Sequence, residues 1–307
     1  MSPSPYARGA RVSPPAKLNW DLRVLGRRGD GYHELRSWFC AVGWRDELEA
    51  RPLAAGAVSR LEVCGPEAAG APADAANLVL RAEAAWRAAG GEAPPVAWRL
   101  EKHLPSGAGL GGGSADAAGA LALLDAMAPS GATRPPLRPL AEELGADVAF
   151  LLDAGGAASL RGGRGEREVA AAPRPPAPWV VLAVPDLAAD TPAVYAALGA
   201  DAFSGGPAES SSGDGPADGP VEEGAGNALE AAAFRAAPGL EEFAARLRAR
   251  HAPFRMTGSG AAFFAPCPHA EAARALRDRV ADCCRLVVAA PLLRPPFLRL
   301  RPLPSPP

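Results

Sequence analysis

Lysine is almost absent from this chain of 307 residues. Of its 32 basic side chains only Lys17 and Lys102 are lysines, and the rest are arginines. Together with 34 glycines and 34 prolines, this usage indicates a coding bias under which a surface lysine is readily replaced by arginine. A lysine that remains is then expected where a compact ammonium is required and a planar guanidinium would not serve. Both lysines therefore become candidate functional residues.

Long apolar runs, paired cysteines and an excess of one charge are also missing. No stretch reaches the roughly 18 apolar residues of a membrane helix, and no apolar segment follows Arg8 and Arg11 as in a secretory signal. The five cysteines are odd in number and lack a CxxC spacing, which disfavours a zinc site or a disulfide framework. The net charge of −2 gives no broad basic surface for nucleic acid. We therefore expect a cytoplasmic protein with free thiols and with neither a membrane nor a nucleic-acid partner.

The order of the predicted elements favours an α+β fold. Apolar residues at 96, 98 and 100 predict a half-buried strand, and residues 77–89 predict a helix that ends at Gly90 and Gly91. Residues 179–184 are uniformly apolar and predict a buried strand. Strands and helices do not alternate strictly, as they would in a doubly wound sheet.

The length of the chain favours two domains. We expect an N-terminal domain over residues 1–170, a C-terminal domain over 171–295 and a tail over 296–307. Residues 199–226 consist almost wholly of Gly, Ser, Pro, Ala, Asp and Glu and predict a flexible insertion. The many prolines after Leu292 predict that the end of the chain lacks regular structure.

The segment from Leu104 to Ser114 is the strongest chemical signal, because five of the seven residues 107–113 are glycines. Glycines allow backbone N–H groups to turn toward an anion at close range. The apolar segment 115–127 predicts a buried helix, whose N-terminus would add donors and the positive end of a dipole. We expect Ser114 to cap this helix and to offer its hydroxyl to a phosphate or a metal. A turn that merely lets a helix pack on a strand needs fewer glycines, so we predict a phosphate site.

Three common nucleotide sites fit this loop poorly. The spacing at 107, 109 and 112 matches GxGxxG, yet the acid that a dinucleotide site has about 20 residues later is missing between Asp125 and Glu142. No lysine follows the loop as in a Walker A motif, and the H-R-D and D-F-G motifs of protein kinases are absent. A dinucleotide-dependent oxidoreductase remains as a weakened alternative.

Three segments together resemble the GHMP small-molecule kinases, in the order in which that family has them. Residues 15–19 (Pro-Ala-Lys-Leu-Asn) are similar to the first motif, residues 105–118 to the second and residues 256–261 to the third. Residues 26–37, with 77–82 and 144–148, resemble one branch of the family, whose substrate is an alcohol joined to cytidine through a diphosphate. The resemblance spans roughly residues 12–290 and departs at Ala115 and Ala228, where the family usually has Ser and Asp.

This resemblance implies a fold, a reaction and a set of ATP-binding residues. The N-terminal domain would resemble the second domain of ribosomal protein S5, and the C-terminal domain would be ferredoxin-like. ATP and the alcohol would lie in the cleft between the domains. The γ-phosphoryl group of ATP would pass to a hydroxyl group with the help of Mg²⁺, although the sequence shows no dedicated metal cage. The protein would be a monomer or a homodimer. The implied ATP-binding residues are Pro105, Ser106, Gly107, Ala108, Gly109, Leu110, Gly111, Gly112, Gly113, Ser114 and Ala115.

The resemblance also implies the catalytic pair. Asp147 would accept the proton of the substrate hydroxyl, although from spacing alone it serves equally well as the N-cap of a helix at 148–152. Lys17 would keep that carboxylate ionised. The alternative for Lys17, an ordinary surface lysine, is disfavoured by the lysine count.

The remaining candidates would bind the substrate. The ring of Tyr32 would stack on a nucleobase and His33 would hydrogen-bond its edge, although an arbitrary Gly-Tyr-His is more often a turn with an exposed histidine. Tyr195 would supply a second aromatic ring. Asn19 and Lys102 are plausible contacts to nucleotide or substrate. Two alternatives stay open at this point, namely a GHMP kinase that acts on another alcohol and a catalytically inactive nucleotide-binding relative.

Overall fold

The computed structural model describes residues 5–152, 157–172, 176–199 and 226–304. In these residues strands and helices mix along the chain, which confirms the α+β expectation. The strands are β1 (Ala10–Val12), β2 (Pro15–Asn19), β3 (Arg23–Arg27), β4 (His33–Arg45), β5 (Glu47–Pro52), β6 (Arg60–Cys64), β7 (Val96–Glu101), β8 (Ala158–Gly162), β9 (Arg167–Ala172), β10 (Trp179–Val184), β11 (Arg255–Met256), β12 (Phe263–Cys267), β13 (Leu286–Pro291) and β14 (Arg301–Pro302). The α-helices are α1 (Leu78–Ala88), α2 (Gly112–Met127), α3 (Leu137–Leu144), α4 (Ala146–Leu152), α5 (Thr191–Ala196), α6 (Glu230–Ala236), α7 (Leu240–Arg250) and α8 (Ala270–Val280).

These strands form three sheets. The first has the order β14-β1-β5-β7-β6, in which only β6 and β7 pair in parallel. The second has the order β2-β4-β8-β9, with β3 paired to β4, and is antiparallel throughout. The third, β11-β12-β10-β13, is also antiparallel. The first two sheets come mainly from the N-terminal half of the chain and the third from the C-terminal half.

The second sheet lies between two cores. Phe39 and Ala41 of β4 join the core of helices α1 to α4 and the first sheet, whereas Cys40 and Val42 join a core shared with the third sheet. Residues two apart in a strand point to the same face. Helices α6 to α8 cover the other face of the third sheet. This alternation also sends Lys17 and Asn19 of β2 away from the core that takes Ala16 and Leu18.

The predicted helix α1 and strands β7 and β10 are confirmed. Helix α1 begins after Asn77, whose side chain accepts a hydrogen bond from the Val79 N–H, and β7 and β10 form where the apolar patterns predict them. All five cysteines are free. No helix in the described ranges is both long and apolar enough to cross a membrane.

Other expectations need correction. The last residues of the chain are not all irregular, because Arg301 and Pro302 pair with β1 and the side chain of Phe297 is buried in the first core. The backbone pairing of β14 covers the open edge of β1 in the first sheet. Helix α2 begins at Gly112 with Gly111 as its N-cap, so Ser114 lies in the first turn and does not cap the helix. Gly111 has a φ of +67°, and this left-handed conformation turns the chain into the helix early. The predicted insertion lies outside the described residues over 200–225, and the predicted domain boundary stays a prediction.

Candidate active site

Lys17 and Asp147 meet at the N-terminus of helix α2. The Lys17 ammonium lies 3.3 Å from Asp147 Oδ2, and the two side chains are 7% and 25% exposed. Asp147 lies in the first turn of α4 and is not its cap, so the capping alternative is not what the structure shows. The pair joins an almost buried cation to a carboxylate that is open on one side. Such a carboxylate can take a proton from a bound ligand.

Asn19 fixes the position of the Lys17 ammonium. Its Oδ1 accepts a hydrogen bond of 2.9 Å from Lys17 Nζ, and its Nδ2 donates to Ser37 Oγ at 2.8 Å. Its backbone N–H donates to Thr257 Oγ1 at 2.8 Å, which ties β2 to the third-motif segment. The ring of Phe39 lies 5.4 Å from the same ammonium. Asn19 is thus placed as an orienting group for Lys17, and its contact with a ligand stays a prediction.

The two glycine segments pack against this pair and against each other. A Cβ on Gly111 would lie 2.8 Å from Lys17 Cγ and 3.2 Å from Asp147 Oδ2. A Cβ on Gly109 would lie 2.7 Å from the Thr257 carbonyl, and one on Gly258 would lie 3.3 Å from Asn19 Oδ1. Only glycine fits at these points, so Gly258 shapes the site through its close approach to Asn19. The Lys17 N–H donates to the Leu110 carbonyl at 2.9 Å, which joins β2 to the loop.

The predicted ATP loop has an outer and an inner side. Ser106, Gly107 and Gly113 are exposed. The side chains of Pro105, Ala108, Leu110 and Ala115 are buried, so these four can meet a nucleotide only through their backbones. The N–H of Ala115 already donates to the Gly111 carbonyl inside α2. Ala115 is thus a core residue of the helix, and its contact with ATP stays a prediction.

A cavity of about 1180 Å³ opens beside Asp147. Its lining includes Ser114 of α2, Gly145 and Asp147, together with the aromatic side chains of Tyr32, His33 and Tyr195. Its volume slightly exceeds the usual range of about 300–1,000 Å³ for ligand pockets. One cavity is thus lined by Asp147 of the predicted catalytic pair and by the three aromatic residues predicted to bind the substrate.

The aromatic residues are arranged for recognition of a planar ring. His33 and Tyr195 are stacked, with centroids 5.1 Å apart and an interplanar angle of 25°. Tyr32 is 55% exposed, an unusual state for a large aromatic side chain. Burial, followed by the positive charge of Arg27, lowers the pKa of His33. Its imidazole is therefore neutral near pH 7 and offers one donor and one acceptor.

Tyr195 and Asp147 share one electrostatic environment. Burial raises the pKa of Tyr195 to about 12, and the negative charge of Asp147 adds to the shift. The phenol therefore stays protonated at physiological pH. The influence of Asp147 on Tyr195 agrees with their position in the same cavity.

Lys102 lies beneath the glycine loop and not in the cavity. Its ammonium donates to Asp46 Oδ2 and, at 2.8 Å, to Asp116 Oδ2, and none of these three side chains is more than 3% exposed. Burial disfavours the ammonium, but the carboxylates of Asp116 and Asp46 hold the pKa of Lys102 above its usual value. Asp46 also accepts the N–H groups of His103 and Leu104. Two carboxylates already occupy the Lys102 ammonium, so the structure places Lys102 as an anchor of the loop, and its contact with nucleotide or substrate stays a prediction.

Several residues of the site were missed in the sequence. Arg27 and Arg164 line the cavity, and the Arg164 guanidinium lies 4.7 Å from the ring centroid of Tyr32. Asn227 donates to the carbonyls of Met256 and Gly258 and so holds the second glycine turn. Arg27 and Arg164 could not be singled out by residue type, because arginines are so frequent in this chain. Asn227 could not be linked to the second glycine turn, because the two are distant in sequence.

Comparison with known proteins gives two matching family profiles and many relatives. The profile described as GHMP kinases N terminal domain matches residues 77–162, and that described as GHMP kinases C terminal matches residues 219–286. The 4-diphosphocytidyl-2-C-methyl-D-erythritol kinase of Pelotomaculum thermopropionicum is 46% identical over 183 residues. That alignment covers 60% of this chain and 61% of the other protein, which is less than two thirds of its length.

Two further relatives match over most of their length. The 4-diphosphocytidyl-2-C-methyl-D-erythritol kinase of Caulobacter vibrioides is 40% identical over 277 residues, which cover 87% of this chain and 92% of that protein. A crystal structure of 4-(cytidine 5'-diphospho)-2C-methyl-D-erythritol kinase superposes with a TM-score of 0.71 at 34% identity. That superposition covers 92% of this chain and 98% of the other.

Proposed function

This chain belongs to the 4-diphosphocytidyl-2-C-methyl-D-erythritol kinases of the GHMP kinase family, and from that membership we propose the reaction it performs. The protein transfers the γ-phosphoryl group of ATP to the 2-hydroxyl of 4-diphosphocytidyl-2-C-methyl-D-erythritol. The products are the 2-phosphate and ADP, in the non-mevalonate synthesis of isoprenoid precursors. The observation that carries the proposal is the Lys17–Asp147 pair, which lies at a glycine loop and shares one cavity with three aromatic side chains.

Asp147 acts as the base. In phosphoryl transfer the protein mainly positions the groups and stabilises charge, and a carboxylate receives the proton of the attacking hydroxyl. Asp147 is partly exposed on the cavity side and is otherwise held by Lys17, so a hydroxyl bound there can reach it. The proton passes to an Asp147 oxygen as the alcohol oxygen attacks the γ-phosphorus and the bond to ADP breaks.

Lys17 keeps the base ionised and balances charge. Its ammonium lies 3.3 Å from Asp147 Oδ2, and its Cγ and Cε lie 2.8 Å and 3.1 Å from where a Cβ on Gly111, just before the first turn of α2, would be. A cation there favours the carboxylate form of Asp147. The same cation lies beside the place where the phosphates would bind on the loop, and Asn19 and Phe39 hold it there.

The aromatic end of the cavity binds the cytosine. A pyrimidine presents two flat faces and an edge with both donors and acceptors. Tyr32 and Tyr195 offer rings for the faces. Neutral His33 offers one donor and one acceptor for the edge, since its lowered pKa keeps it uncharged.

Mg²⁺ is the ion that this reaction would use. It binds ATP phosphates together with only one or two protein oxygens, and it neutralises the charge that develops on the phosphates. The described residues hold no group of three His, Cys, Asp or Glu side chains that could bind a metal by themselves. The hydroxyl of Ser114, in the first turn of α2 and on the cavity wall, is the oxygen that fits this role.

The cytoplasmic location, the oligomeric state and the absence of a nucleic-acid partner stay predictions.

The test of this function is ADP release by the purified protein with Mg·ATP and a panel of alcohols. We expect turnover with 4-diphosphocytidyl-2-C-methyl-D-erythritol and none with mevalonate, homoserine or galactose. Turnover with one of those three alcohols instead would keep the kinase chemistry and remove the cytosine roles of Tyr32, His33 and Tyr195. ATP binding without turnover on any alcohol would favour the inactive relative.

Asp147→Asn tests the base. The amide keeps the shape of the side chain but cannot take the proton, so kcat should fall by about 10²–10⁴-fold. The melting temperature should stay near that of the wild type, because Asp147 is partly exposed. Asp125→Asn is the control, because it makes the same carboxylate-to-amide change near the opposite end of α2. It should keep its kcat. Near-normal turnover of Asp147→Asn would remove it from the role of base.

A further inference from the structure

We propose that Arg27 and Arg164 bind the diphosphate that joins the two ends of the substrate. This inference rests on the proposed function, because it takes the cytidine diphosphate substrate as given. The cytosine lies at the aromatic end of the cavity and the alcohol lies at Asp147. The diphosphate must therefore cross the cavity between them, where it brings two or more negative charges.

The walls of this cavity would otherwise repel a diphosphate. The carboxylates of Glu142, Glu143, Asp147 and Glu166 line it. Asp147 is matched by Lys17 and Glu142 by Arg138, but no ion pair is found for Glu143 or Glu166 in the part of the chain that the structure describes. Arg27 and Arg164 are the cations in the cavity lining. A diphosphate at this point is stable only if these two guanidinium groups face it.

Two hairpins each contain one arginine in the cavity lining and one arginine outside it that is bound to a carboxylate. On the β3–β4 hairpin, Arg28 binds Asp30 at 3.1 Å and Glu34 at 2.7 Å, whereas the adjacent Arg27 has no carboxylate within 4.0 Å among the described residues. On the β8–β9 hairpin, Arg167 lies 3.8 Å from Glu34. In each hairpin an arginine near the cavity arginine but outside the cavity lining, Arg28 or Arg167, is paired with a carboxylate.

Arg164 is the unpaired arginine of the second hairpin. Its side chain has no ion pair within the described ranges and lies over the ring of Tyr32 at 4.7 Å. Its contact with Glu166 is made by the backbone N–H and leaves the guanidinium available. The pKa of Asp30 is lowered most by the hydrogen bond from the Tyr32 N–H, then by Arg28, and least by the charge of Arg164. Asp30 therefore interacts with the Arg164 guanidinium only at longer range.

The position of Arg164 links two functions. A guanidinium that stacks on an aromatic face keeps all its N–H donors in the plane of the stack, where they can bind phosphate oxygens. Arg164 can therefore hold the ring of Tyr32 in place for the cytosine and also bind the diphosphate. Arg27 is opposite His33 in the β3–β4 register, on the strand that borders the same aromatic group. Both guanidinium groups thus lie next to the residues that would hold the cytidine.

The experiment measures binding of cytidine 5′-diphosphate and of cytidine to the full chain by calorimetry. The variants are Arg27→Gln and Arg164→Gln, with Arg28→Gln and Arg167→Gln as the matched controls from the same hairpins. We expect each cavity variant to raise the Kd of cytidine 5′-diphosphate about tenfold, since it loses charge-assisted hydrogen bonds. The Kd of cytidine should not change in Arg27→Gln, because cytidine has no phosphate. In Arg164→Gln it should rise by less than the Kd of cytidine 5′-diphosphate, because that variant also loses the contact with the Tyr32 ring. The KM for ATP should not change either, which separates the substrate diphosphate from the phosphates of ATP.

Four results would overturn the inference. The first is equal losses for cytidine and its diphosphate, which would mean that the arginines act only on the aromatic rings. The second is an equal loss in the paired controls, and the third is a rise in the KM for ATP alone. The fourth is unchanged binding of cytidine 5′-diphosphate in Arg27→Gln and Arg164→Gln. If the wild type still binds cytidine and turns over the substrate, this result refutes the inference but not the proposed function. A wild type that binds neither cytidine compound would instead refute the proposed function and this inference with it.

Discussion

Gly111→Ala isolates the geometry of the catalytic pair from the stability of the fold. Gly111 has a φ of +67°, so an alanine there is strained by about 1–2 kcal/mol whatever the space around it. The added Cβ would also lie 2.8 Å from Lys17 Cγ and 3.1 Å from Lys17 Cε. An ordinary contact begins at 3.4 Å, so the Lys17 side chain must move by about 0.6 Å. This displacement moves the ammonium relative to Asp147.

Gly107→Ala supplies the matched control. Gly107 lies on the same loop with a φ of +69°, and the nearest atom to its added Cβ is Ala188 Cβ at 4.0 Å. Both variants should therefore lose about 1–2 kcal/mol of unfolding free energy from the left-handed backbone, and Gly111→Ala should lose about 1–3 kcal/mol more from its contact with Lys17. Only Gly111→Ala should lose kcat, by about 10–10²-fold, because small misplacements of a catalytic group are costly. Any effect of Gly107→Ala on nucleotide binding falls on the KM for ATP.

The assay is ADP release at saturating Mg·ATP and alcohol, with urea unfolding of the same preparations. Equal kcat values for Gly111→Ala and Gly107→Ala would show that the contact between Gly111 and Lys17 has no part in catalysis. A loss of kcat in Gly111→Ala that merely follows a larger loss of stability would point to partial unfolding. The reasoning holds only if both variants are fully folded under the assay conditions and kcat falls in Gly111→Ala alone.

Three further predictions concern buried charge. Lys17→Arg keeps the charge but cannot fit a planar guanidinium into the same space, so kcat should fall at least about tenfold in the ADP assay; a near-normal rate would contradict our interpretation of the lysine count. Burial raises the pKa of Asp116 to about 7, so the folded state holds a proton that the unfolded chain releases. Stability should therefore fall as pH rises from about 4 through 7, and less so in Asp116→Asn, as followed by melting temperature; equal pH profiles would refute this. Glu83→Gln should cost about 1–3 kcal/mol in urea unfolding, because Glu83 accepts from Trp98 Nε1 at 2.6 Å and from Arg87 at 2.7 Å; an unchanged midpoint would show that the amide serves as well.

The elements that the sequence predicted well are those whose signal is local. Asn77 caps α1, and the alternation at 96–100 is β7, because a cap and a period of two depend on neighbouring residues only. The catalytic pair was predicted by resemblance, and the structure brings Lys17 and Asp147 together at 3.3 Å. From spacing alone Asp147 was equally a helix cap, since no local pattern joins residues 17 and 147.

The elements that were predicted poorly depend on distant partners. The end of the chain was expected to be irregular because of its prolines, yet Phe297 finds a place in the first core and Arg301 finds the free edge of β1. The start of α2 was placed three residues late, because Ser114 is a good cap by type while Gly111 is the cap by conformation. The left-handed conformation of the glycine before the helix is set by the folded loop. The sequence could not show which of several glycines in this run would adopt it.

The two lysines show how far composition alone can reach. The scarcity of lysine indicated that both are needed as compact ammonium groups, and the structure places both in buried contacts with carboxylates. Composition could not tell which of them faces the ligand, because that depends on partners far away in the chain. Lys17 has one carboxylate partner and an amide, and its pair opens on the cavity. Lys102 has Asp46 and Asp116, and the two carboxylates close around it beneath α2. A lysine with a single, partly exposed carboxylate can act in catalysis, whereas one enclosed by two buried carboxylates holds the loop on which catalysis depends.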